Sequence, residues 1–260
     1  MLESTFQHVQ GVGTVTERML WKQGCLTWED FLTGRYECSL KSRKVLKAGI
    51  LESKSRLEVF DHTYFREALF GSLVWRAYGK FRDHACFLDI ETTGLSPREH
   101  IVTTVCVHSP NGTRDYVEGK NLDELKEDLD NFKYIITFNG ARFDLPFLSK
   151  KQGIKFHQIH LDLMYPLYKL GFNGGLKSIE KQVGLDRDTS GVTGFDAVRL
   201  WKAYKKNKTV EVAGRKVAGE KALKLLREYN RDDTVNLEQL AKLTIRKLTE
   251  IEKTQMTGEK

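Results

Sequence analysis

The stretch 86-CFLDIETTGL-95 places two acids in a run that otherwise predicts a buried β-strand. Apolar residues occupy both faces of this run, which is typical of a central strand whose sheet is covered on each side. Because side chains alternate along a strand, Asp89 and Glu91 point to the same face. Two carboxylates that lose water there repel each other, so the sequence predicts a positive partner between them.

The composition indicates a soluble globular protein with a basic charge. The 260 residues carry a net charge of +7, which favours a polyanionic partner such as nucleic acid, although solubility alone could also account for it. No window approaches ~18 apolar residues, and the first ten residues have no apolar core, so we expect neither a membrane span nor a secretory signal. The four cysteines are scattered without a C-x-x-C motif, which predicts a reducing, cytoplasmic location.

Strand and helix signals divide the chain into three parts. Residues 1–80 predict a small all-helical domain, residues 81–252 alternate strand and helix signals, and residues 253–260 predict a flexible tail. The predicted strands are 85–90, 100–109, 114–119, 133–138 and 155–160. Three antiparallel strands followed by parallel strands that alternate with helices predict an α/β fold with a mixed sheet flanked by helices.

Turn and capping residues mark several boundaries in the second part. Asn111-Gly112 predicts a two-residue hairpin between the second and third strands. Asn121 is expected to cap an amphipathic helix, and Gly153 to end a short helix over 143–151. The chain then reads as helical to about residue 252, with a basic hairpin expected at 208–217.

Two further acids lie where packing alone would favour an apolar group. Asp144 begins a predicted helix among apolar neighbours, just after a strand. Asp233 shares a helix face with Leu225, Tyr229 and Leu237. Each has a simpler explanation, because Asp144 could only be an acid favoured by the helix dipole, and Asp233 could only hydrogen-bond Tyr229.

The four acids together favour a metal site. Asp89, Glu91, Asp144 and Asp233 come from three chain segments. Hard divalent cations take oxygen ligands, and Mg²⁺ commonly binds substrate phosphate as well. Two such ions can stabilise the attacking and the leaving oxygen of a phosphoryl displacement.

At these residues the chain resembles the DEDDy 3′–5′ exonucleases of the ribonuclease-H-like superfamily, which include DNA polymerase proofreading domains. The amino-acid sequences of the first motif and of the N-terminal part look closest to the YprB-like branch. The motifs are Asp89-x-Glu91 with Thr92-Thr93-Gly94-Leu95, Asn139-x-x-x-Phe143-Asp144, and Tyr229-x-x-x-Asp233. The resemblance covers about residues 82–250.

The resemblance implies a role for each motif residue. The four acids would hold two Mg²⁺ or Mn²⁺ ions, and Tyr229 would aim the attacking water. Thr92 and Leu95 would contact the terminal nucleotide, and Asn139 could support the metal site or the substrate. A free tyrosine has a pKa of about 10, so positioning the water is a better role for Tyr229 than deprotonating it.

Two residues outside the motifs are weaker candidates. Lys177 follows Gly174-Gly175 at a helix start and could hold a phosphate, or it could be a solvent lysine on a capped helix. Asp162 follows the fifth predicted strand and could approach the acidic cluster, but structural hydrogen bonds are the favoured expectation, since four acids already suffice.

The N-terminal part holds a possible nucleic-acid contact. Residues 7–32, with Gly11-Val12-Gly13 and Gly24 before helical runs, resemble a helix-hairpin-helix motif, whose glycine hairpin lets the backbone approach a phosphate. A small helical cap that only packs is the alternative. The expected core residues are Val9, Val12, Leu20, Trp21, Leu26, Trp28 and Phe31.

Basic residues concentrate in two stretches that could contact phosphates. They are Lys41, Arg43, Lys44, Lys47, Lys54 and Arg56 in the first, and Lys202, Lys205, Lys206, Lys208, Arg215, Lys216, Lys221 and Lys224 in the second.

The sequence therefore predicts a metal-dependent 3′–5′ exonuclease that shortens single-stranded nucleic acid to nucleoside 5′-monophosphates. DNA is the favoured substrate because of the hairpin motif, and RNA remains open. The alternatives are a catalytically silent nucleic-acid-binding module and a structure-specific endonuclease on the same fold.

Overall fold

The computed structural model describes residues 1–257, with Leu40 described by its backbone alone. Five strands form one mixed sheet in the order β3-β2-β1-β4-β5, in which β1 is antiparallel to β2 and parallel to β4. The strands are β1 (Ala85–Thr92), β2 (Val102–Ser109), β3 (Gly112–Val117), β4 (Tyr134–Thr137) and β5 (Ile159–Asp162). The predicted mixed sheet, with the acid-bearing strand at its centre, is confirmed.

Helices follow the sheet strands as expected. They are α6 (Leu125–Leu129), α7 (Asp144–Gln152), α8 (Met164–Lys169), α9 (Leu176–Val183), α10 (Gly194–Lys206) and α11 (Gly219–Thr257), preceded in the N-terminal part by α1 (Thr14–Lys22), α2 (Trp28–Thr33), α3 (Leu40–Glu58), α4 (His62–Ala68) and α5 (Tyr78–Phe81). Gly153 ends α7 in a left-handed conformation, as its position predicts. The predicted basic hairpin is present as β6 (Val210–Val212) and β7 (Arg215–Val217).

Several sequence predictions were wrong in detail, among them the third strand, which spans Gly112–Val117 rather than 114–119. The fifth strand begins at Ile159 rather than at residue 155, because its parallel pairing with β4 aligns Tyr134 with Ile159. The β2–β3 turn comprises Pro110 and Asn111, since Gly112 already pairs with Ser109. Asn121 occupies the predicted N-cap position, before a short 3-10 helix (Leu122–Glu124) that leads into α6, but its side chain makes no capping hydrogen bond. The side chain instead accepts from the Val117 amide and donates to the Asp115 carbonyl oxygen, which fixes the end of β3.

The last helix extends farther than the sequence predicted. α11 has 39 residues and continues through 253–257, where a flexible tail was expected. Residues 258–260 of that expected tail lie outside the described residues. Among residues 1–257, no helix combines the length and the apolar character that a membrane span requires.

Both faces of the sheet are covered, as the apolar residues of β1 predict. Phe87 and Ile136 lie in a cluster with the N-terminal helices and with α11, whereas Leu88 and Ile135 pack against α6 and α7. Asp89 and Glu91 have the same strand parity as Phe87, so they lie on the face that α11 covers. A third cluster joins α10, the β6–β7 hairpin and the first turns of α11.

The N-terminal region packs onto the sheet through a shared core. All seven predicted core residues are buried except Leu26, which is half-buried. Gly11 and Gly24 both have φ near +82°, the left-handed region in which glycine is unstrained, so both turns of the 7–32 segment depend on glycine. The four cysteines are free thiols.

A buried ion cluster, the Arg76 network, ties this region to the end of α11. Arg76 Nη1 donates to Glu17 Oε1 at 3.1 Å, and Arg76 Nε donates to Glu252 Oε1 at 3.0 Å. Glu17 also accepts from the Phe6 amide at 2.7 Å and from Thr5 Oγ1 at 2.8 Å. The cluster therefore joins the first helix of the chain to the last.

Candidate active site

The first two acids of the candidate site lie near the carboxyl end of the central strand. Asp89 pairs across the sheet with Cys106 of β2, and Glu91 with Thr104. The register shifts between Glu91 and Thr92, so the strand is irregular immediately beyond the second acid. Such irregularities commonly re-aim side chains beside functional sites.

Helix α11 brings the third acid to the same place. One carboxylate oxygen each from Asp89, Glu91 and Asp233 lies within 4.8 Å of the other two. Asp89 and Glu91 are half-buried, and Asp233 is buried. Three oxygens at this separation are a donor set that suits a hard divalent cation.

Asp144 lies beside these three acids at the start of α7. Its Oδ1 accepts a hydrogen bond from the Ile90 amide at 3.1 Å, and Ile90 separates the two acids of β1. Asp144 is outside the set within 4.8 Å, but it lines the same cavity, which has a volume of about 540 Å³. The structure thus brings all four predicted acids to one cavity.

Burial and mutual repulsion raise the pKa of every acid in the cluster. Burial raises the pKa of Asp89 and Glu91 well above the usual range, and the charge of Asp233 raises both further. Burial likewise raises the pKa of Asp144 to about 7. The pKa of Asp233 is raised by burial and partly restored by the Arg187 guanidinium. The charges of Arg187 and Lys177 therefore offset only part of the cost of burying these acids.

Tyr229 lies one turn before Asp233 and lines the cavity. Burial raises the pKa of its phenol far above the usual value, and the charges of Asp233 and Glu91 raise it further. Lys177 Nζ lies 4.3 Å from the centroid of the Tyr229 ring. The phenol consequently stays protonated at neutral pH and can donate a hydrogen bond.

Two residues of the site escaped the sequence analysis. Arg187, in the loop after α9, donates from Nη2 to Asp233 and also binds Glu180 through two nitrogens, at 2.5 and 2.9 Å. Asn230 Nδ2 donates to Asp89 Oδ2 at 2.7 Å. The adjacency of Asn230 to Tyr229 on the helix was the available signal for Asn230, whereas Arg187 lies in an irregular polar loop that offers none.

The candidate substrate residues surround the cavity in different ways. Leu95 is 84% exposed at its rim, while Thr92 is buried and donates from Oγ1 to the Gly94 carbonyl oxygen at 2.7 Å. Asn139 has a left-handed backbone with φ of 61° and lines the cavity. Lys177 also lines it, but its Nζ donates to the Val192 carbonyl oxygen, so it is not a free solvent lysine.

The loop before α7 is held by Asp162, as predicted for a structural acid. Its Oδ1 accepts from the Asn139 amide at 2.7 Å and from the Met164 amide at 3.1 Å, and its Oδ2 accepts from the Ala141 amide at 3.1 Å. These contacts fix the segment that delivers Asn139 and Asp144 to the cavity.

Comparison with known proteins concerns the same part of the chain. A family model described as the RNase_H superfamily matches residues 86–245. No curated protein matches the sequence. Among solved structures, a family B DNA polymerase from Pyrobaculum calidifontis aligns at 15% identity and a TM-score of 0.44, over 63% of this chain and 24% of the polymerase. Brucella melitensis NrnC with bound Mg²⁺ aligns at 15% identity and a TM-score of 0.41, over 67% of this chain and 80% of NrnC.

Proposed function

Because the chain belongs to the RNase_H superfamily, we propose that it is a metal-dependent 3′–5′ exonuclease of the DEDDy group, close to the YprB-like branch. It would hydrolyse phosphodiester bonds of single-stranded nucleic acid, DNA favoured, and release nucleoside 5′-monophosphates. The observation that carries this proposal is the approach of the Asp89, Glu91 and Asp233 oxygens within 4.8 Å, with Asp144 on the same cavity.

The chemistry of the donor set fits divalent metal. Four carboxylates share one cavity, and their raised pKa values reflect burial first and mutual repulsion second, both of which a bound cation would offset. Two Mg²⁺ or Mn²⁺ ions held there would stabilise charge on the attacking and leaving oxygens. The residues that would hold them are Asp89, Glu91, Asp144 and Asp233.

Tyr229 and Lys177 supply the polar groups beside the acids. A phenol that stays protonated is suited to orient a water molecule by a hydrogen bond and unsuited to remove its proton. The Lys177 ammonium, above the Tyr229 ring, would attract a substrate phosphate. It also helps to keep the phenol fixed by a cation–π contact.

The remaining candidates would bind the end of the strand. Exposed Leu95 can pack against a terminal base, and Thr92 holds the backbone turn beside it. Asn139 presents an amide toward the same cavity. The backbone amides at the start of α9, which open onto the cavity through Gly175 and Leu176, favour an anion there.

The N-terminal region is proposed to bind nucleic acid as a domain over residues 1–80. Its basic stretch is partly neutralised, because Lys54 pairs with Glu29 at 2.6 Å and Arg56 pairs with Asp61 at 3.1 Å. Lys41, Lys44 and Lys47 are the better phosphate contacts. The free cysteines are compatible with the reducing cytoplasm that we propose as the location.

A gel assay tests the function. Single strands of DNA and of RNA labelled at the 5′ end are incubated with Mg²⁺, with Mn²⁺ or with chelator, and resolved on a denaturing gel. We expect a metal-dependent ladder that shortens from the 3′ end, and no ladder with Asp233→Ala. The strand that shortens faster identifies the preferred sugar.

Other outcomes would replace the proposal. An intact strand that is still bound would favour a silent binding module, and a cut in a circular strand would favour an endonuclease. Tyr229→Phe provides a sharper test, because it removes the hydroxyl that would orient the water and keeps the ring under Lys177. It should lower kcat and leave strand binding nearly unchanged; a loss of binding alone would assign Tyr229 to substrate contact.

A further inference from the structure

A second cavity, the junction cavity, lies where the N-terminal region meets the edge of the sheet. Its volume is about 450 Å³, within the range of small-molecule sites in proteins. It is bordered by the turn before α5, the end of β5, helix α8 and the distal part of α11. The side chains used below are Ser72, Trp75, His160, Tyr165, Lys169 and Leu248.

Two aromatic rings and a neutral imidazole lie in the walls of the junction cavity. Trp75 is 5% exposed, whereas Tyr165 is 47% exposed, so one ring lies in the wall and the other remains accessible. Burial lowers the pKa of His160 to about 4, so its imidazole is neutral at physiological pH. Asp162 also borders the cavity, but three backbone amides already occupy its carboxylate.

Positive charge is concentrated at one side of the cavity. A neighbouring groove shares Ser72, Trp75, Lys169 and Leu248 with it and adds Arg18 from α1. Within the described residues, neither Lys169 nor Arg18 has a carboxylate within 4.0 Å of its side-chain nitrogens. Glu17 and Glu252, which border the same groove, both bind Arg76, and the charge of Lys169 also acts on Glu252.

The junction cavity is connected to the candidate active site by one short segment. Phe138, Asn139 and Asp144 line the active-site cavity, and Ala141 between them lines the junction cavity. Asp162 holds both Asn139 and Ala141 through their amides. A ligand in the junction cavity would therefore contact the segment that carries Asp144.

We propose that the junction cavity binds a nucleotide, with its base against Tyr165 and Trp75 and its phosphate at Lys169. Aromatic faces accept any base by stacking, and a lysine ammonium that pairs with no carboxylate within 4.0 Å among the described residues can bind a phosphate at the edge of the cavity. His160 Nε2 hydrogen-bonds Thr137 Oγ1 at 2.9 Å, so a neutral His160 has Nδ1 left for one hydrogen bond to a base edge. The nucleotide is either part of the strand bound at the active site or a free mononucleotide.

The test measures binding without cleavage. The wild type, Tyr165→Ala and Lys169→Ala are titrated, in chelator, with a fluorescently labelled 12-nucleotide single strand and separately with AMP. Tyr168→Ala and Lys150→Ala are the matched controls, because Tyr168 is 42% exposed on the same helix and Lys150 is exposed on α7, and neither lines the cavity.

We expect Tyr165→Ala to weaken binding at least fivefold, the lower range for loss of one stacked base, and the control variants to bind as the wild type does. If the variants bind the strand more weakly and AMP as the wild type does, the junction cavity holds a nucleotide of the bound strand. Weakening for AMP as well identifies a free mononucleotide. Unchanged binding of both ligands by Tyr165→Ala and Lys169→Ala would overturn the proposal.

The proposal rests on the nucleic-acid partner of the proposed function and is independent of cleavage. Metal-dependent shortening of strands by all variants, with unchanged binding, would refute the junction site alone. Weakened binding by Tyr165→Ala in a protein that never cleaves would refute the exonuclease alone.

Discussion

The molecule buries acids in two places, and their surroundings differ. In the Arg76 network, Glu17 is fully buried but accepts from a guanidinium, a backbone amide and a threonine hydroxyl. In the active-site cluster, Arg187 donates to Asp233, Asn230 donates to Asp89, and the Ile90 amide donates to Asp144. Glu17 is therefore satisfied by protein groups, although Glu252 Oε2 in the same network has no hydrogen-bond partner within residues 1–257, whereas the active-site cluster holds four acids around one bound guanidinium.

This difference separates a structural role from a functional one. A buried acid with a complete set of protein partners holds elements together, because nothing else is needed to stabilise its charge. An acid cluster whose pKa values are all raised retains unused affinity for a cation, and such perturbed groups concentrate at functional sites.

Replacement of an acid in the cluster should separate activity from stability most clearly. Asp144→Asn keeps an oxygen that can accept from the Ile90 amide and removes one charge. We expect cleavage to fall on the order of 10³-fold, because several kcal/mol of transition-state stabilisation are lost. Single-turnover cleavage measures it, and wild-type rates in the variant would contradict the role of Asp144.

Removal of the cation from the Arg76 network should lower stability and leave the cleavage rate of the folded protein unchanged. Arg76→Ala leaves Glu17 and Glu252 buried without their partner, which should lower the free energy of unfolding by about 3–5 kcal/mol. Urea unfolding measures it. Arg82→Ala is the control, because its pair with Asp83 is exposed. If the folded Arg76→Ala protein lost its cleavage rate, the network would not be merely structural.

The raised pKa values of the active-site acids should be visible in the pH dependence of the free energy of unfolding. Because the folded state holds protons on the cluster acids that the unfolded chain releases, stability in chelator should fall as pH rises from 5.5 to 8. We expect Asp144 to contribute about 2 kcal/mol to this fall in the free energy of unfolding. Asp144→Asn should flatten this slope and be the more stable protein at pH 8. Parallel slopes for the two proteins would contradict the raised pKa of Asp144.

Among the described residues, Arg187 is the one cation paired with an acid of the cluster, and its replacement should have the smallest of the four effects. Arg187→Lys cannot bind Glu180 with two nitrogens while reaching Asp233. Loss of such a supporting group should raise the half-maximal Mn²⁺ concentration about tenfold. Arg199→Lys, at a half-exposed pair with Asp196, is the control. A lower metal requirement would mean that Arg187 competes with metal.

Much of the fold followed from local patterns in the sequence. The double-faced apolar run at 86–90 predicted a central strand, and glycines predicted the ends and turns of several elements. The wrong details depended on partners distant in sequence. The start of β5 is set by its register with β4, and Asn121 binds the backbone of β3 instead of a helix end.

The acids of the site could be predicted because an acid at an apolar position is itself a signal. Their neighbours could not be predicted in the same way. Arg187 lies in the segment 186-DRDT-189, whose polar composition resembles any surface loop, although its side chain is only 9% exposed. The partner of a buried charge is determined by tertiary proximity, which no local pattern records.

The length of helix α11 affects which parts of the protein unfold together. The helix carries Tyr229 and Asp233 to the site and reaches Glu252 of the Arg76 network about 28 Å farther along its axis. Its distal turns also pack in the core that the N-terminal helices share with the sheet, through Leu240 and Leu248. Amide hydrogens of α1 and of the distal turns of α11 should therefore exchange with solvent as one cooperative unit, and cleavage of the chain near residue 245 by a protease should accelerate exchange in both.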